Sequence, residues 1–127
     1  MKLITPLAVA AVLLLSACST TPATPPVPVA TVAAATDRTT DVVAVLGEDA
    51  AAAVESAEET EPGRITVHTS IVDPRTDTGS PEALLALSIC AAVSNTGSWT
   101  HVNVMEADGT HFVLYGHPSA PDTCVEY

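Results

Sequence analysis

The sequence predicts a small α+β domain over residues 64–127: a three-stranded sheet packed against one or two helices, in the order α-β-α-β-β, with one disulfide. Three observations predict it. "RITVHTSIV", residues 64–72, alternates apolar and polar positions, the mark of a half-buried strand. "ALLALSICAAV", residues 83–93, is apolar on nearly every side behind a helix-capping triplet. "WTHVNVMEADGTHFVLYG", residues 99–116, holds two alternating runs about Asp108-Gly109, a hairpin signature.

The first helix is expected over residues 41–60, as an acidic amphipathic helix or further linker. Val42, Val43, Leu46, Ala50, Ala53 and Val54 share one side of a helical wheel, and Glu48, Glu55, Glu58 and Glu59 fall opposite. Gly47 interrupts the pattern, and the acids crowd the carboxyl end, where the helix dipole disfavours them. In the strand that follows, Ile65, Val67 and Ile71 share one face, with Thr66, His68 and Ser70 on the other. "DPRTDTGS" is a polar loop. Ser80-Pro81-Glu82 then supplies a hydroxyl cap, a proline at the first helical position and an acid in the first turn. Asn95 and Gly97 end the helix. Having no polar face, it needs cover on more than one side.

Burial selects the register of the hairpin. A three-residue loop, Ala107-Asp108-Gly109, sets Glu106 opposite Thr110, Val104 opposite Phe112 and Val102 opposite Leu114. That gathers four apolar residues on one face and gives Gly109 the left-handed position of the turn. His101, Asn103, His111 and Tyr115 then share the open face.

The beginning of the chain reads differently. Met1-Lys2 precedes a run from Leu3 to Leu15 that is apolar except for Thr5 and Pro6, and small residues follow at Ser16 and Ala17. This is the pattern of a secretory signal peptide over residues 1–17, and it is shorter than the roughly 20 apolar residues of a membrane span. Leu15-Ser16-Ala17-Cys18 resembles the lipobox of bacterial lipoproteins. The resemblance covers the signal alone, and no family is recognised for the folded domain. It implies that Cys18 carries a diacylglyceryl thioether and becomes the first residue after cleavage. The chain would then be held at the extracytoplasmic face of the cell membrane by covalent lipid. Residues 18–40 form a Thr- and Pro-rich linker, with Pro22, Pro25, Pro26 and Pro28 opposing regular structure. Its reach is of order 25 Å when coiled, and its Thr/Pro composition suits O-glycosylation.

Charge bounds the partners. The 127 residues carry 15 acids against 4 bases. Without Lys2 the balance is three arginines against fifteen acids, or −12. Nucleic acid and anionic headgroups, which call for positive charge, are not expected partners. With Cys18 lipidated, Cys90 and Cys124 are left as a disulfide pair in an oxidising compartment.

No catalytic residue is identified. No G-x-S-x-G surrounds a serine, and Cys90 lies mid-helix in apolar surroundings, where a thiol is inert. No metal and no cofactor is expected. His101 and His111, four residues apart along the hairpin, are roughly 13 Å from one another, too far to share a zinc whose nitrogen bonds are about 2 Å. Asp73, Asp77 and Ser80 do not match a calcium loop. Trp99, His101, Met105 and Tyr115 form the candidate binding face, since amphipathic aromatics favour interfaces. The expectation is therefore a non-enzymatic, lipid-anchored envelope protein that presents an acidic interaction domain to an envelope protein or wall component. It would act in exclusion of superinfecting phage or inhibition of an envelope enzyme. The alternatives are a structural or stress lipoprotein with no specific ligand and, behind it, a metal-dependent hydrolase.

Overall fold

The computed structural model describes residues 34–75 and 78–127. The Leu3–Leu15 run, Cys18, the proline-rich stretch and Asp77 lie outside the described residues. Among the described residues, no helix is long and apolar enough to cross a membrane. The elements are β1 (Thr36–Asp37), α1 (Thr39–Val43), α2 (Glu48–Ala53), β2 (Val54–Glu61), β3 (Arg64–Thr69), α3 (Pro81–Ser94), β4 (His101–Met105), β5 (His111–Tyr115) and β6 (Val125–Glu126). The strands form one six-stranded mixed sheet in the order β1-β2-β3-β4-β5-β6. Only β3 and β4 are parallel. The crossover between them is α3, as a parallel pair requires.

The expected three-stranded sheet and the order α-β-α-β-β are thus overturned: among the described residues the sheet has six strands and there are three helices. The helix expected over residues 41–60 is where the largest error lies. Gly47 separates two short helices, and Val54 leaves the helical region with φ −81° and ψ 125°. Residues 54–61 then pair antiparallel with β3. Glu61-Pro62-Gly63-Arg64 turns between them, with Pro62 ahead of a glycine at φ 78°, the residue types of a tight type II turn. A run rich in Ala and Glu therefore becomes a strand because its neighbour supplies a ladder. Helix propensity is a weak prior beside that. At the outer edge, Arg38 N–H donates to Ala57 O at 2.7 Å and Ala57 N–H donates to Thr39 Oγ1 at 3.0 Å. Arg38 Nη2 donates to Glu59 Oε2 at 2.7 Å. This hydrogen bond holds the Glu59 carboxyl below the ordinary carboxylate range and raises the Arg38 guanidinium. The Thr39 hydroxyl, donating to Asp37 at 2.6 Å, lowers the Asp37 carboxyl likewise.

The core lies between the sheet and the helices. Ile65, Val67, Val102, Val104, Phe112 and Val113 from the strands meet Ala83, Ala86, Ile89, Cys90 and Val93 of α3. Ser80 caps α3 by accepting a hydrogen bond from Ala83 N–H at 3.0 Å, ahead of Pro81. The apolar sides of α3 that the sheet leaves free meet α2 and the chain near Cys124. Cys90 and Cys124 are disulfide-bonded, with Cα atoms 6.1 Å apart, so the bridge fastens the segment leading into β6 to the helix.

The β4–β5 hairpin differs from its expected register. Its tip is as the loop chemistry requires: Glu106 N–H donates to Thr110 O and Gly109, at φ 83°, donates to Glu106 O, each at 2.9 Å. Beyond the tip, Met105 faces His111 but Val104 faces Val113, so Phe112 is the extra residue of a bulge. The bulge lets Phe112 and Val113 both enter the core, at 1% and 0% exposure. It also shifts every later pair, so that Val102 faces Tyr115 and Asn103 faces Leu114.

Candidate binding face

Among the described residues, the helices cover one side of the sheet only. The ladder pairs fix which side chains share the other face, because directly opposed residues point the same way. With Ile65, Val67 and Val102 turned toward the helices, Arg64, Thr66 and His68 of β3 lie on the open face, beside His101, Asn103 and Met105 of β4. Leu114 and His111 of β5 join them, as do Ser56 and Glu58 of β2. Three of the four histidines of the chain stand on this face and the fourth, His117, borders it in the turn after β5.

Arg64, Thr66, His101, Asn103, Leu114 and His117 line a groove of about 360 Å³ here. Its polar groups are already oriented. Gly63 O accepts from Thr100 N–H at 2.9 Å, His101 N–H at 3.1 Å and the Thr100 hydroxyl at 3.0 Å. Thr100 Oγ1 also lies 3.1 Å from His101 Nδ1, a hydrogen bond that orients the ring. His101 Nε2 then faces Arg64 Nη2 at 3.5 Å. The ring lies over Gly116 (φ 81°), where an added Cβ would stand 3.0 Å from His101 Cδ2 and 2.2 Å from Thr100 O. Asn103 Oδ1 contacts His111 Nδ1 at 2.9 Å. Tyr127 sits edge-on to His111, with ring centroids 6.5 Å apart, and 6.2 Å from the His117 ring.

The four expected binding residues are not all brought together. His101 and Tyr115 both line the groove, and Met105 is on the open face. Tyr115, opposite Val102, also packs against the core, as Trp99 does. Sequence reasoning missed Arg64 and Leu114 as groove residues; the signal for Arg64 was its position at the start of an alternating strand after Pro-Gly. Among the described residues, no three His, Cys, Asp or Glu side chains are grouped to hold a metal ion.

Two other polar clusters have structural explanations. Glu106 is buried at 3%, yet both of its carboxylate oxygens are hydrogen-bonded. Asp73 N–H reaches Oε2 at 2.9 Å, while the Thr110 hydroxyl and Arg75 Nη2 reach Oε1 at 2.8 and 3.0 Å. It pins the loop after β3 to the hairpin tip. Asp73 itself accepts from Arg75 N–H at 2.9 Å. The Ser119 hydroxyl lies 2.6 Å from His117 Nδ1, but that nitrogen also accepts Ser119 N–H at 3.2 Å. The pair closes a turn two residues long rather than poising a nucleophile, which would need the base oriented by a third group.

No family model, curated protein or solved structure matches this chain.

Proposed function

We propose that this protein is a lipid-anchored, non-catalytic binding module of the cell envelope, tethered through Cys18, and that its partner surface is the open face of the sheet. One observation carries the reading: helices bury one side of a six-stranded sheet, and among the described residues the other side is left uncovered, with a groove and a set of polar side chains. Antiparallel sheets with one solvated face are common. A solvated face of ordinary kind has no need of a preorganised groove. The partner is an envelope protein or wall component, and the Thr- and Pro-rich stretch between Cys18 and β1 gives the domain reach above the bilayer.

The test is site-specific photo-crosslinking in the native envelope. A crosslinker at Thr66 or Met105, on the open face, is expected to give a discrete adduct. One at Thr36, exposed on β1, is expected to give none. Equal labelling from both positions, or none from either, would remove the assignment and leave a structural lipoprotein with no specific ligand. In the same cells Cys18→Ser is expected to lose the membrane fraction; retention at mature size would remove the anchor.

A further inference from the structure

We infer that the outward side of α3, with the groove between α2 and α3, is a second interaction surface, and that it fits an amphipathic helix with basic flanks, carried by another protein. This surface lies on the helix side of the domain, away from the open face of the sheet, and does not depend on that face being the binding face.

The first observation is the helix itself. In a chain of 15 acids and 4 bases, α3 carries one charged residue, Glu82 in its first turn, and residues 83–94 carry none. A helix with one side in water ordinarily places its polar residues there. In α3 the sheet side buries Ala83, Ala86, Ile89, Cys90 and Val93. The opposite side is a stripe of Leu84, Ser88 and Ala91, spaced i, i+4 and i+7. All three are exposed among the described residues, Leu84 at 59%.

The second observation is the groove beside that stripe. Leu46, Ala50, Leu85, Ser88 and Ala92 line a volume of about 440 Å³. Val45, next to Leu46 in the chain, is 45% exposed. A single exposed leucine is ordinary on a protein surface. An uncharged helix side that runs into an apolar groove has the anatomy of an interface centre.

The rim decides the occupant. Glu48 and Asp49 line the groove. Glu82 stands at the start of the stripe, and Asp122 lies in the recess on its other flank, with Leu87 and Ala91. Among the described residues none of these four acids is ion-paired. No arginine lines either recess. Arg38, Arg64 and Arg75 are paired elsewhere, with Glu59, Glu61 and Glu106. A second copy of the chain would therefore set acids against acids with no base to answer them, and anionic lipid is repelled in the same way. A helix with leucines on one side and lysines or arginines on its flanks is complementary twice. Its apolar side enters the groove, and its cations meet the rim, which speeds encounter and selects the partner.

The test uses the full chain in nanodiscs of zwitterionic phosphatidylcholine. Two model peptides of equal length are titrated in. One has leucines on one helical side and lysines on the other; the second has glutamate in place of every lysine. Empty nanodiscs record how far each peptide enters lipid, and heteronuclear NMR follows the backbone amides. We expect the lysine peptide to give saturable shifts at Ala50, Leu85, Ser88 and Ala92, with Thr66 and Asn103 of the open face unmoved. The glutamate peptide should bind at least about tenfold more weakly, and sodium chloride should narrow the difference. Ser88→Arg, a change at an exposed position, should block the groove and abolish the shifts. Glu48→Lys with Asp49→Lys should reverse the preference between the peptides. No saturation by the lysine peptide, equal affinity for both peptides, shifts confined to the open face, or a preference unchanged in the double variant overturns the inference. Shifts of α3 that grow with the number of chains per nanodisc, without peptide, would give the surface to a second copy and overturn it too. If the peptide fails while the open face still crosslinks a partner, the open face stands and this surface falls.

Discussion

The two ends of the sheet are built on different physics. From β3 to β6, register is enforced by apolar burial: alternate residues enter the core beneath α3, Phe112 bulges inward, and a disulfide fastens the last strand. From β1 to β2 the interior contribution is small, with Ala57 the only residue of those two strands fully buried. Pairing there depends on polar docking: Arg38 on Glu59, Thr39 on Ala57, Asp37 on Thr39. Apolar burial is spread over many contacts and tolerates few substitutions. Polar docking at an exposed edge is confined to a few side chains and answers to pH and salt.

The sharpest way to break the comparison is at the bulge. Phe112→Ala removes the largest fully buried side chain and should cost about 3–5 kcal/mol, a large part of the roughly 5–15 kcal/mol that holds a domain together. Urea unfolding followed by circular dichroism measures it; a loss under about 1 kcal/mol would mean that the bulge does not pack as described. Next in size is the bridge. Cys90→Ala with Cys124→Ser should cost about 4 kcal/mol in the chain-entropy model. Its local signature is in β6. The amide of Tyr127, which donates to Phe112 O at 2.9 Å, should lose protection from hydrogen exchange before that of Arg38 does. Loss in the reverse order would place the weak end of the sheet at the wrong strand.

The same contrast decides what could be read from the sequence. β3, α3 and the hairpin tip were legible because burial writes a period into the chain: Ile65 and Val67, the Ser80-Pro81 cap, the Asp108-Gly109 turn. The disulfide followed from counting the cysteines. β2 was not legible. Its inward residues are Val54, Ala57 and Glu59, a row with too little apolar character to show a period of two, and its partners Arg38 and Thr39 lie 21 and 18 residues away in sequence. Glu61-Pro62-Gly63-Arg64 carried the turn signal directly before a strand, and a hairpin there would have followed from it. The Phe112 bulge left no trace either, since one inserted residue is worth nothing to a periodicity and everything to the faces beyond it. That single residue sets Tyr115 opposite Val102, packed against the core while still lining the groove, and the face is known from the ladder rather than from the pattern.

The smallest expected effect is at the amino-terminal edge, and it sharpens the comparison by its locality. Glu59 and Asp37 have carboxyl groups held below their ordinary values by hydrogen bonds. A group whose folded value is depressed adds stability above its unfolded value, and that stability is lost as pH falls through the folded one. The ordinary carboxylate value is about 4, so the edge should hold at neutral pH and loosen below that point. Arg38→Ala removes the pair at every pH. It should leave the global urea midpoint nearly unchanged, because an ion pair at a half-buried edge contributes little, yet raise hydrogen exchange at the amides of position 38 and Ala57 several-fold. It should also abolish the acid dependence of that exchange contributed by Glu59, leaving the share carried by Asp37 and Thr39. Exchange at Val67 and Val104 should not respond. If those core amides loosened together with Arg38, the two ends would be one cooperative unit and the polar edge would be part of the same foundation as the core.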